Sequence, residues 1–194
     1  MNKTVDQALQ SYFEANGFDE RSYSDPTFSI PVCGRLVTVP NPSGRQQGIR
    51  VHDLHHVVTG YNTDLVGESE AAAFELGAGV GIRYLAALFF TTTAFVMGLL
   101  RCPVRTMKAF VRGCGVRKSL YQVIRFGDDD QYQRVLHWMV RDLRVVVGIG
   151  QRRTLRTLAR LPLVVVFTLV GTALWPLLAM AMTIMWFRSP PVSS

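Results

Sequence analysis

The chain has 194 residues, 48% of them hydrophobic and 18% charged, with 21 Lys and Arg against 14 Asp and Glu. This composition excludes a globally disordered chain, and the length argues against two independent globular domains while leaving room for one core or for a membrane segment. The three cysteines, Cys33, Cys102 and Cys114, are odd in number and lack CxxC spacing, so they imply neither a disulfide framework nor a cysteine zinc site and suit a reducing compartment.

Val5, Ala8, Leu9, Tyr12 and Phe13 recur at helical spacing and predict a short helix over residues 4–16, ended by Gly17. Two short extended segments follow, Phe28, Ile30 and Val32 and then Leu36, Val37 and Val39, with Cys33-Gly34 between them; this is a minor β-hairpin. From Val51 the helical period returns through about Gly60. After Tyr61-Asn62-Thr63-Asp64 a second helix runs to about Leu76, before Gly77 and Gly79. Asn62, Thr63 or Asp64 can cap it, and Asp64, Glu68 and Glu70 suit its positive N-terminal end. The two helices read as a tight helical hairpin.

Tyr84 to Leu100 is an uncharged apolar run, too short to be a clear membrane span and carrying Thr91, Thr92 and Thr93. It is expected to line a cavity of the domain or dip into the bilayer without crossing it. Residues 104–112 and 131–147 suit helices, separated by a loop containing Gly113, Gly115 and Asp128 to Asp130. Leu161 to Phe187 is uncharged over 27 residues, long enough to cross a bilayer with tilt. Pro162 is expected in its first turn and Pro176 at a kink near its middle. The fold class is therefore mainly α: a helical domain over 1–160 with a metal-binding helical hairpin and a minor N-terminal β-hairpin, a transmembrane helix over 161–187, and a short tail over 188–194.

Charge is distributed unevenly. Residues 1–80 hold five basic and ten acidic side chains, whereas residues 101–160 hold 14 basic and four acidic ones. Basic residues beside a span mark its cytoplasmic side, so a single span would leave the helical domain in the cytoplasm. The first 20 residues carry Asp6, Glu14, Asp19 and Glu20 and no apolar signal-peptide core, which agrees with that orientation. The basic block at 101–160 is expected to meet anionic membrane lipid, and no nucleic acid is expected as a partner, because no nucleic-acid module accompanies it.

The unusual chemistry is concentrated in His52-Asp53-Leu54-His55-His56, followed after eleven residues by Glu68. At about 100° per residue, His52, His56 and Asp53 share one sector of a helix. His52 and His56 stand in the i, i+4 relation that offers two nitrogens to one metal ion, and the second helix can return Glu68 as an oxygen ligand. Such a mixed set suits zinc, manganese or iron(II) better than calcium. His55 reads as an outer contact or a surface residue; Glu70 and Glu75 read as structural, although Glu75, two turns after Glu68, can face the same groove. A membrane di-iron histidine box is excluded because only His137 exists besides these three histidines, and an HD phosphohydrolase site lacks its separate upstream histidine.

The string His-Asp-x-x-His-x11-Glu, present as His52, Asp53, His56 and Glu68 within HDLHHVVTGYNTDLVGE, resembles the signature of the Coq-four family of ubiquinone (coenzyme Q) biosynthesis proteins. Thr59-Gly60 matches the family's Thr-Gly, and Val140-Arg141-Asp142-Leu143-Arg144 leading to Gly148-Ile149 is similar to its later helix. The resemblance implies a mainly helical fold, a divalent metal at the four polar positions, commonly zinc, and a hydrophobic cavity for a polyprenyl tail. It further implies a role in processing the head group of a prenylated quinone precursor, either as an oxidative decarboxylase or as a non-catalytic lipid-binding scaffold for other quinone-biosynthesis proteins. The apolar C-terminal run departs from the family pattern.

Overall fold

The computed structural model describes residues 3–32, 34–81, 83–150 and 154–188. Helix α1 (Val5–Asn16) starts on a capping box in which Thr4 and Gln7 satisfy each other's backbone donors, and it ends on Gly17 at φ 66. Its Val5, Leu9 and Phe13 face the core. A 3-10 turn at Glu20–Tyr23 leads into β1 (Thr27–Val32) and β2 (Arg35–Pro40), an antiparallel pair with Thr27 opposite Pro40 and Val32 opposite Arg35. The hairpin is thus as expected, with its turn residue Cys33 outside the described residues.

Helix α2 (Ser43–Thr59) begins well before Val51, because its first two turns are polar and only partly buried, so no apolar period marks them. Gly60 ends it at φ 77. Helix α3 (Leu65–Ala78) follows at once, capped by Asp64 Oδ1, which accepts from the Gly67 amide at 2.7 Å. From Gly67 onward nearly every position of α3 is buried, which makes it the central helix.

Helices α4 (Leu85–Arg101) and α5 (Pro103–Cys114) pack on α3. The expectation that α3 stops before Gly77, and that Gly113 lies in a loop, is corrected: both glycines are inside helices, at the crossing of α3 and α5. A Cβ on Gly77 would lie 2.1 Å from Phe110 O, and one on Gly113 would lie 2.1 Å from Phe74 O. These glycines serve backbone approach, so their local helix-breaking signal misleads.

Helices α6 (Leu120–Val123), α7 (Asp129–Leu136) and α8 (Val140–Val147) complete the domain. The single helix expected over 131–147 is broken between α7 and α8, where the chain pairs with the N-terminal segment. Val5 N donates to Trp138 O at 2.8 Å and Val140 N to Lys3 O at 3.1 Å, around a bridge between Thr4 and Met139. Peptide groups engaged in that pairing are lost to a helical ladder.

Helix α9 (Thr154–Arg188) is the one described helix long and apolar enough to cross a membrane. It starts seven residues before Leu161, so Pro162 lies inside the helix with Pro176, not in its first turn. It does not stand away from the domain. Near its start Arg156 and Arg160 donate to the carbonyls of Val116 and Gly77. Midway, Gly171 meets α4 so closely that a Cβ would lie 2.7 Å from Thr92 O. Near its end the Arg35 guanidinium of β2 sits 4.4 Å from the Trp186 ring centroid. The opposite face is bare, with Leu155, Val165, Leu169, Leu177 and Met180 exposed.

Candidate functional site

Two turns of α2 and the start of α3 bring together His52, His56 and Glu68, whose ligand atoms lie within 4.8 Å of one another. The His52 and His56 Nε2 atoms are 3.1 Å apart. Glu68 Oε2 is 3.1 Å from His52 Nε2, and Glu68 Oε1 is 3.5 Å from His56 Nε2. The short Gly60 to Asp64 connection makes this possible, since it folds α3 back beside α2 within one turn of Glu68.

The outer nitrogens determine what the inner ones can do. His56 Nδ1 lies 2.9 Å from Tyr61 O, and a carbonyl can only accept, so His56 donates there. His52 Nδ1 lies 2.8 Å from Glu75 Oε1, a carboxylate with no exposure to solvent. Neutral imidazoles with Nδ1 protonated present lone pairs from Nε2. Two such lone pairs and the Glu68 carboxylate then face one small space, an arrangement that repels itself unless a cation enters it. In the protein alone a proton answers this demand. Burial by itself lowers the His52 pKa, but the Glu75 and Glu68 carboxylates more than reverse that and hold it well above the ordinary value. Burial likewise pushes Glu68 up, yet hydrogen bonds and charge from His52 and His56 bring it down to about 2.

Glu75 is the hub behind these residues. Its Oε1 also lies 3.0 Å from His55 Nδ1, and its Oε2 accepts from Tyr121 OH at 3.0 Å. Burial raises its pKa, and the neighbouring His52 and His55 overcome this and hold it low. His55 is fully buried against Phe74 and Tyr121, which removes the surface alternative for it. Its Nδ1 approach to Glu75 is off the line of a good hydrogen bond, and its Nε2 meets no polar group among the described residues. Glu70 takes no part: Arg105 binds it through two hydrogen bonds of 3.0 and 2.7 Å.

Asp53, the expected fourth ligand, is placed beside the cluster and not in it. Its oxygens accept from Tyr23 OH at 2.7 Å and Tyr12 OH at 3.3 Å, because α1 and the 3-10 turn pack against that side of α2. Burial raises its pKa, opposed by the charge of His52. Tyr12, Tyr23 and Tyr121 were not anticipated from the sequence; each comes from an element 30 or more positions away from its carboxylate, so no local spacing announces it.

The cluster opens into a cavity of about 910 Å³, within the range of small-molecule sites. His52, Asp53, Glu68 and Glu75 form its polar wall, and Phe28, Ile49, Ala87, Phe90 and Ala94 contribute apolar surface. Helix α4 therefore lines a cavity, as expected for residues 84–100, through Ala87, Phe90, Thr91 and Ala94. Part of the basic block is engaged in the fold. Besides Arg105, Arg112 donates to Thr59 O at the end of α2, and Arg160 to Gly77 O near the end of α3. Cations at those carbonyls complement the negative ends of the two site-bearing helices.

Comparison of the chain with protein-family models, with curated proteins and with solved structures finds no match.

Proposed function

We propose that the protein binds one divalent metal ion through His52, His56 and Glu68, zinc first, with iron or manganese as alternatives, and processes the head group of a prenylated quinone precursor. The observation that carries the metal is the convergence of two Nε2 atoms and a carboxylate, with each imidazole held through its Nδ1 so that an ion replacing the proton between them meets two nitrogens and a carboxylate oxygen. The motif's resemblance to the Coq-four family supplies the substrate class and implies oxidative decarboxylation, in which the ring carbon loses its carboxyl group as carbon dioxide and gains a hydroxyl, with dioxygen as the external oxidant. When bound, the ion supplies Lewis-acid polarisation of a substrate oxygen. Glu75 and Tyr61 O hold the two imidazoles in orientation, Asp53 ties Tyr12 and Tyr23 alongside, and the apolar wall from α4 takes part of the prenyl tail.

Purified protein should turn over a prenylated hydroxybenzoate, and His56→Ala protein of unchanged circular dichroism should lose that turnover by at least about 100-fold. Rescue of quinone-deficient growth by the same variant, with no turnover by wild type, contradicts the enzyme and supports a scaffold for other quinone-biosynthesis proteins.

The protein is held at a membrane by α9, with its domain on the cytoplasmic side. Composition and length allow α9 to cross. The contacts at Arg156 and Trp186 are separated by about 45 Å of helix, more than the roughly 30 Å of a hydrocarbon core. A crossing helix must release one end of the domain, whereas a helix lying in the plane of the leaflet keeps all these contacts and buries its bare apolar face. The in-plane arrangement is therefore our reading. It predicts that Ser193→Cys, in a background with the three native cysteines replaced by Ser, resists an impermeant maleimide applied to intact cells. Labelling from outside contradicts it and establishes a crossing helix.

A further inference from the structure

Arg45 lies two turns before His52 on α2, displaced by about 10 Å along the axis and on nearly the same face. Both line the same cavity. Its guanidinium carbon sits 3.6 Å from the Phe28 ring centroid and 5.8 Å from that of Phe90, so aromatic faces and not water flank part of the charge. One hydrogen bond, 2.8 Å from Nη1 to Asn41 Oδ1, fixes it. Asn41 is itself buried and pinned through its Nδ2 to the carbonyls of Ser22 and Asp25.

No carboxylate among the described residues lies within ion-pair distance of Arg45, although the cavity wall is rich in them. The acids of the cluster wall have nearer partners: the buried Asp53 the two tyrosines, the partly exposed Glu68 the two histidines, and the buried Glu75 His52 and Tyr121. Arg45 is thus a partly desolvated, positioned cation with one donor engaged among the described residues. Asp53 favours its charge from beyond ion-pair distance, so a carboxylate brought by a ligand would be the first anion in direct contact with this partly desolvated cation among the described residues.

We propose that Arg45 is the anion subsite of this cavity, receiving the carboxylate of an aromatic-acid substrate whose other polar end reaches the His52, His56 and Glu68 cluster. This rests on the metal-site reading above and adds what selects the substrate. A guanidinium offers a carboxylate two parallel donors, while Phe28 and Phe90 supply apolar contact for an aromatic ring beside it.

The test compares 3-prenyl-4-hydroxybenzoate with its methyl ester, by calorimetric titration of metal-loaded protein in detergent. Wild type should bind the acid at least about tenfold tighter than the ester, the difference of one charge-assisted contact. Arg45→Gln should bind the two equally, with ester affinity and metal content unchanged, which also shows that it is folded; Arg45→Lys should restore part of the preference. An Arg45→Gln protein that keeps the wild-type preference overturns the assignment. So does a metal-loaded wild type that binds acid and ester equally, and that outcome leaves the metal site standing. A wild type that holds no metal or binds neither compound overturns the parent reading and the Arg45 subsite with it.

Discussion

Replacing His52 and His56 together by Ala is expected to strip the protein of its divalent ion, from about one per chain to none by elemental analysis after dialysis. Removing even a residue that only supports a ligand lowers metal affinity by about 10–100-fold, and here two of the three converging donors disappear. Glu68 alone, partly exposed at the cavity wall, is left, and one carboxylate does not offset the dehydration of the ion. The double variant should nonetheless fold. His52 is partly exposed at the cavity and His56 stacks on Tyr12 beside it, so truncating them leaves the apolar core residues Leu54, Val58 and Phe74 in place.

Glu75→Ala is expected to be the most damaging single substitution at the site, costing about 3–5 kcal/mol of stability in urea unfolding. The carboxylate has no solvent exposure and holds His52 at 2.8 Å and Tyr121 at 3.0 Å, with His55 at 3.0 Å. Alanine leaves the buried His55 ring, the partly buried His52 ring and the buried Tyr121 hydroxyl without their shared acceptor. Glu75→Gln keeps one acceptor in place and is expected to fold, with metal affinity reduced by about 10–100-fold because His52 loses a charged orienting partner. Equal stability of Glu75→Ala and wild type contradicts the role given to Glu75.

The helical part of the site was legible because it is local. The i, i+4 pair His52 and His56 and the return of Glu68 after a capped turn are set by helix geometry and by Gly60 and Asp64, all within one hairpin. Glu75 was legible as a possibility through its two-turn spacing from Glu68. Asp53 went elsewhere because angular position on α2 says which sector a side chain occupies but not which element packs there; Tyr12 and Tyr23 reach it across 41 and 30 positions. Fold boundaries failed for the same reason. Gly77 and Gly113 carry a helix-stopping signal that close approach between α3 and α5 overrides, and the break between α7 and α8 is imposed by pairing with residues near the N-terminus. The apolar pattern of α9 shows that it must avoid water, and only its contacts at both ends show how it lies against the domain.

The proposed function stands or falls with a metal ion between His52, His56 and Glu68. Metal-edge X-ray absorption on full-length protein, purified in detergent without chelator, tests it most directly, because scattering from imidazole rings identifies histidine nitrogens in the ligand shell. The expected spectrum has one kind of divalent ion with two imidazole nitrogens at about 2.0–2.1 Å and oxygen neighbours completing the shell, as zinc bound by such donors shows. A protein without stoichiometric metal, or an ion whose shell contains sulfur or lacks imidazole, contradicts it.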